Sequence, residues 1–279
     1  MKKRCVIVLL ISLLLLCSCA NSAKPSTTNP KENAMEGKLP KDKTYNILFI
    51  GNSYTYTNDM PRVFFEKMAE SCGYKVRVTA ITKGSYTLEK FADTTDAYGG
   101  RVMAHLSTPG SYDYVILQEQ SLRPITEPEK FHAAVSDLES RIRAIGAQPV
   151  LYATWGRQTG SDKLAELGLT NESMTWKLAA EYAAVGAELD IPVIHVGAAF
   201  YDVNTTTGIE LYNEDLSHPA AKGSYLAALT LFCGIFGVDP AAVSYGANIP
   251  GDDVVAMQAA AKKVVLNEVV IPETYKQEG

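Results

Sequence analysis

Three residues of this chain have the types and spacing that acyl transfer needs. Ser53 stands in the run Gly51-Asn52-Ser53-Tyr54-Thr55, and far downstream comes Asp215-Leu216-Ser217-His218-Pro219. A carboxylate three residues before a histidine can accept from one ring nitrogen and fix the tautomer. The other nitrogen is then free to take a proton from a serine hydroxyl. Pro219 suits the first turn of a helix, which would hold that loop rigidly. Each element has an ordinary reading too: a Gly-Asn-Ser turn punctuates many strand-to-helix junctions or caps a helix, and many histidines are structural.

The elements that must position these residues alternate along the chain. Short apolar or β-branched runs at 45–50, 75–81, 112–117, 149–153 and 192–196 read as strands. Helical spacing is predicted over 60–71, near 100–106, and over 128–145, 171–189, 220–236 and 252–268. Five short strands separated by helices predict an α/β fold with a parallel sheet covered on both faces. Ligands of such sheets bind at the carboxyl ends of the strands. Polar residues gather there: Gly51-Asn52-Ser53, Lys83-Gly84-Ser85, Gln118-Glu119-Gln120-Ser121, Thr154-Trp155-Gly156-Arg157 and, beyond the fifth strand, Asp215 to Pro219.

In motif, order and position, the chain resembles the SGNH or GDSL-type serine hydrolases over about 45–236. That family sets its serine in Gly-Asp-Ser or Gly-Asn-Ser after the first strand and an Asp-x-x-His pair before the last helices. The resemblance implies a three-layer, doubly wound, flavodoxin-like sheet. It implies Ser53 as nucleophile, His218 as general base and then acid, and Asp215 as its orienter. It also implies an oxyanion hole of three donors: the Ser53 N–H, a glycine N–H after the second strand, and an Asn side chain after the third. Gly84 fits the second role or is a plain turn glycine. The third motif departs from the family, with Gln118-Glu119-Gln120-Ser121 where Gly-x-Asn-Asp is expected. Gln120 falls at the Asn position, and Gln118 is its rival. A missing donor costs about 100- to 1,000-fold in rate, so the substitution matters.

Glu119 can be a second acid, a substrate contact or a buried anchor. Tyr54 and Trp155 can form a wall for stacking sugar or can pack in the core. His132 on a predicted helix and His195 in a predicted strand read as structural, and His105 has no matching partner. No metal-ligand spacing is present, so no catalytic metal and no cofactor are expected.

The first residues read as a secretory leader. Lys2, Lys3 and Arg4 precede the apolar run Val6 to Leu16, which ends in Cys17-Ser18-Cys19. Leu16 to Cys19 resembles a bacterial lipobox with Cys19 as the lipid acceptor. Cys17 fits less well, because Leu16 would precede it. The expected organisation is a signal peptide over 1–18, the lipidated Cys19 and a flexible tether over 19–43, and one domain over 44–279. Loss of the leader removes three basic residues and leaves 23 basic against 31 acidic. With no basic stripe, nucleic acid is excluded as a partner. Cys72 and Cys233 make no disulfide framework and read as buried apolar residues.

The expectation is an exported, lipid-anchored serine esterase that removes acetyl or other short acyl groups from carbohydrate. Its partners would be an acylated carbohydrate or other small ester and the membrane. The rivals are a non-catalytic lipoprotein that binds glycan or peptide on the same fold, and an acyltransferase.

Overall fold

A computed structural model describes residues 39–276. The predicted signal peptide, Cys19 and most of the predicted tether therefore lie outside the described residues. Residues 39–43, which the sequence places at the tether's end, already lie on the domain. Leu39 packs against the core, Pro40 O accepts from the Tyr45 hydroxyl at 2.8 Å, and Lys43 pairs with Asp113 at 2.7 Å.

Five strands form the sheet: β1 (Thr44–Gly51), β2 (Lys75–Thr82), β3 (Tyr114–Leu117), β4 (Gln148–Ala153) and β5 (Val193–His195). Their order is β2-β1-β3-β4-β5, and every neighbouring pair is parallel. This is the α/β arrangement the sequence predicts. The helices are α1 (Ser53–Tyr56), α2 (Lys67–Ser71), α3 (Leu88–Ala92), α4 (Ala97–His105), α5 (Arg123–Thr126), α6 (Pro128–Ala144), α7 (Asp162–Glu166), α8 (Asn171–Glu188), α9 (Val196–Thr206), α10 (Ala221–Phe236) and α11 (Gly251–Val265).

Alternation along the strands divides the core between two faces. Tyr45, Ile47 and Phe49 of β1, with Ile116 and Val150, face a layer built from α2, α9, α10 and α11. Leu48 and Ile50, with Val115, Leu117 and Leu151, face α3, α4, α6 and α8. The two-sided burial explains why the strands read as unbroken apolar runs. Cys233 is buried on α10 and Cys72 is partly buried; both are free thiols.

Two local readings change. The helix predicted over 60–71 begins as a π-helical turn (Pro61–Glu66) before becoming α2. The fifth strand, predicted over 192–196, stops at His195, and α9 starts at once. Gly197 makes that possible: a β-carbon there would sit 2.2 Å from the Thr154 carbonyl, so only glycine lets α9 approach the end of β4.

Candidate active site

The carboxyl end of β1 turns sharply into α1, and one buried side chain holds the turn. Gln118 Oε1 accepts from the Asn52 N–H at 2.8 Å and the Thr55 hydroxyl at 2.9 Å, while its Nε2 donates to Asn52 Oδ1 at 3.0 Å and to Glu119 O. Asn52 Oδ1 also accepts from Tyr54 N and caps α1, and its Nδ2 donates to Tyr86 O at 3.1 Å. Gly51 is dictated by this crossing, since a β-carbon would lie 2.6 Å from Gln118 Oε1. Ser53 is thereby presented as the first residue of a short helix, partly accessible at the sheet edge.

The second half of the site is the loop between α9 and α10. An isolated bridge between Tyr212 and Pro219 closes it, Asn213 N donates to His218 O at 2.8 Å, and Leu216 takes a left-handed φ of 58°. Asp215 Oδ1 accepts from the backbone N–H of Ser217 at 3.0 Å and of His218 at 2.9 Å. Its Oδ2 meets His218 Nδ1 in a close hydrogen bond. His218 Nε2 lies 2.7 Å from Ser53 Oγ. Burial pushes the Asp215 carboxyl upward, but the bonds from His218 and Ser217 outweigh it and hold the group below the ordinary carboxylate value.

Aromatic packing supports this loop from below. Tyr54 stacks on Trp155 at 4.7 Å and Trp155 on Phe200 at 4.0 Å, while Tyr54 meets the His218 ring edge-on at 5.6 Å. The polar ends of the stack grip Ser217: the Tyr54 hydroxyl bonds Ser217 Oγ at 2.6 Å, and Trp155 Nε1 donates to Ser217 O at 3.0 Å. Tyr54 is 3% exposed and Trp155 0%, so of the two readings the sequence offers, packing in the core holds and the sugar-stacking wall falls. The rings lie under the site because their apolar faces are consumed by one another and by Phe200.

Glu119 resolves in the same way. It is fully buried, and its carboxylate accepts from Leu88 N at 3.1 Å and Gln120 N at 2.6 Å, so it is an anchor and not a substrate contact. Burial raises it to about 7, against the lowering pull of those two N–H groups and Arg123. Gln118, the rival oxyanion donor, is excluded from that role because its amide is occupied by Asn52 and Glu119 O. Gln120 is partly exposed. Its Oε1 caps α5 by accepting from Leu122 N at 2.9 Å and Arg123 N at 3.2 Å, and its Nε2 has only a long contact to Ser121 Oγ at 3.4 Å.

Gly84 sits in a turn closed by Tyr86 N to Lys83 O at 3.2 Å, with Ser85 at a left-handed φ of 60°. A β-carbon on Gly84 would stand 3.1 Å from the Tyr56 hydroxyl, which brings this turn against the end of α1. The remaining histidines lie elsewhere. His105 bonds the Tyr112 hydroxyl at 2.6 Å, His132 lies between Glu181 and Glu188, and His195 is half-buried with its Nδ1 shut off from water, a desolvation that lowers it to about 4. Among the described residues no three His, Cys, Asp or Glu side chains are grouped to hold a metal ion. Sequence reasoning missed Asn58 and set Arg157 at the end of the fourth strand without a role, because neither belongs to a recognisable motif.

A scan against family models finds no match, and neither does a search of curated proteins. Solved structures do match. A protein from Slackia heliotrinireducens, provisionally assigned as an SGNH hydrolase, is 32% identical, with a TM-score of 0.60 over 70% of this chain and all of that one. This chain belongs to the SGNH hydrolase superfamily. Two further solved structures are similar at lower identity and bear on the fold alone. A DUF4886 family protein from Bacteroides uniformis gives a TM-score of 0.68 at 18% identity, covering 83% of this chain and 98% of that one. A variant of an acetyl xylan esterase from Geobacillus stearothermophilus gives 0.50 at 16%, covering 68% and 94%.

Proposed function

We propose that this chain is a serine esterase that releases acetyl or other short acyl groups from carbohydrate, anchored outside the cytoplasm through a lipid on Cys19. The observation that carries the reading is the hydrogen-bonded line Asp215–His218–Ser53, with His218 Nε2 at 2.7 Å from Ser53 Oγ. Asp215 holds the proton on Nδ1, which leaves Nε2 as the acceptor.

His218 takes the hydroxyl proton as Ser53 Oγ bonds the ester carbonyl carbon. The oxyanion that forms is met by the Ser53 N–H, the Gly84 N–H and Gln120 Nε2. Among the described residues no acceptor already holds either backbone N–H. His218 then gives its proton to the departing sugar oxygen as the carbon–oxygen bond breaks. Water attacks the acyl-enzyme by the same route in reverse, which frees the acid and returns the proton to Ser53. The carbohydrate assignment draws on the shared fold with an acetyl xylan esterase, and the anchor on the apolar leader with its Leu-Cys-Ser-Cys end.

The test is active-site labelling. Wild type should react with a fluorophosphonate probe and hydrolyse p-nitrophenyl acetate, and Ser53→Ala should do neither. An alanine variant that retains both activities overturns the assignment.

A further inference from the structure

Arg157 lies just beyond β4, on the sheet edge that carries Ser53, and is only partly exposed. The other partly buried arginines are paired, Arg123 with Glu89 and Glu127 and Arg141 with Asp137. Arg157 is not: its Nε is buried without an acceptor, and no carboxylate among the described residues pairs with its guanidinium. Its backbone is nevertheless fastened to the site. Arg157 O accepts from Asn171 Nδ2 at 2.8 Å, and the next residue, Gln158, donates its N–H to Leu216 O at 2.8 Å, inside the Asp215–His218 turn. Burial raises the Tyr54 phenol, and the bond to Ser217 and the neighbouring positive charge of Arg157 pull the other way. The backbone of Arg157 is therefore tied, through Gln158, to the turn that carries His218, and its charge is felt by Tyr54 beneath that turn.

Withdrawing a guanidinium N–H from water with no partner is costly, and the cost is recovered when an anion completes the hydrogen bonds. The planar fork of arginine suits a carboxylate, which it can bind through two parallel bonds. The chain is net acidic, at −5 overall. An unpaired cation on the sheet edge that carries the serine thus acts against the general field, which favours local recognition over long-range steering.

We propose that Arg157 is a specificity-determining residue that receives a carboxylate of the substrate, so that the ester cleaved at Ser53 is borne on an acidic sugar such as an O-acylated uronic acid. The proposal rests on the esterase reading and narrows its substrate class.

The experiment compares acetylated glucuronic acid with acetylated glucose, using the full-length chain and acetate release as readout. Wild type should favour the acidic ester in kcat/KM by about 10- to 100-fold, carried by KM, as one charge-assisted hydrogen-bonded pair provides. Arg157→Gln should bring the ratio close to one, and Arg157→Lys should retain part of it. A wild-type ratio near one overturns the proposal, as does a Gln variant that slows both esters equally and keeps the ratio. A thermal melt checks folding, and if the Gln variant is unfolded the Lys variant decides by the same ratio. If neither ester turns over and the fluorophosphonate fails to label Ser53, the esterase reading has failed by itself. Calorimetry with glucuronate and glucose then decides on Arg157: glucuronate binding that is weakened in the variant sustains its role, and absence of binding removes it.

Discussion

Asn58 Nδ2 donates to the carbonyl of Pro219 at 3.2 Å and so joins the segment just after Ser53 to the residue just after His218. The same amide donates to Ser224 Oγ at 2.9 Å, and Ser224 Oγ donates in turn to Thr57 O at 3.2 Å. Ser53 and His218 come from opposite ends of the chain, and this bridge ties their segments directly. It requires an unusual backbone. Asn58 has φ 58° and ψ 21°, a left-handed conformation that asparagine tolerates better than most residues.

Asn58→Gly keeps the conformation and loses the donor, whereas Asn58→Ala loses the donor and puts a β-carbon in the left-handed region. Both variants should lose about 10-fold or more in kcat toward a simple ester, since small misplacements of reacting groups are expensive. Alanine should also cost about 1 kcal/mol more stability than glycine. Steady-state kinetics with urea denaturation checks this. Wild-type kcat in a destabilised glycine variant would show that the bridge serves folding alone.

Asp215 offers a second and sharper test of the line of three residues. Its side chain is about half exposed, so its removal has little leverage on the core. Asp215→Asn can still accept from the N–H groups of Ser217 and His218, but it presents an amide to the ring and favours the tautomer with its proton on Nε2. On the proposed mechanism kcat should fall by about 10,000-fold, with a change in folding stability of about 1 kcal/mol or less. Burst kinetics and a denaturation curve on the same preparation would separate the two effects. A fall of only a few-fold would mean that His218 is oriented by something else.

The site was legible in sequence where chemistry is local and obscure where it depends on contacts across the fold. Asp215 and His218 are three residues apart, so one turn brings them together, and the strand end before Ser53 shows in its apolar run and glycine. The role of Gln118 could not be read, because it depends on the close approach of β1 and β3 that leaves Asn52 and Gln118 sharing hydrogen bonds. Tyr54 and Trp155 have the types of a sugar platform, and only burial distinguishes platform from foundation. The helix after β5 went unread, because Gly197 carries no helical signal and its role is a close packing contact with Thr154. Arg157 has no motif at all; what marks it is the lack of a partner, visible only once every neighbour is placed.

Glu119 links the loops after β2 and β3, since one carboxylate holds Leu88 N and Gln120 N together. Burial raises it to about 7, so the folded protein binds a proton that the unfolded chain releases near 4.5. Stability contributed by the protonated form is complete below about 4.5, declines as pH rises to about 7, and is flat above that. His195, lowered to about 4 by burial, acts in the opposite sense, adding stability as pH rises toward 6.5. Wild type alone would therefore show a blurred profile, and the difference from Glu119→Gln isolates the carboxyl. The amide keeps an oxygen for both N–H groups and carries no charge. Relative to wild type it should gain on the order of 3 kcal/mol between pH 4 and pH 8, with the whole gain falling between about 4.5 and 7. Urea denaturation of both proteins across that range measures it. A difference that does not change with pH would mean that Glu119 stays ionised in the fold, with its two N–H donors and Arg123 outweighing burial.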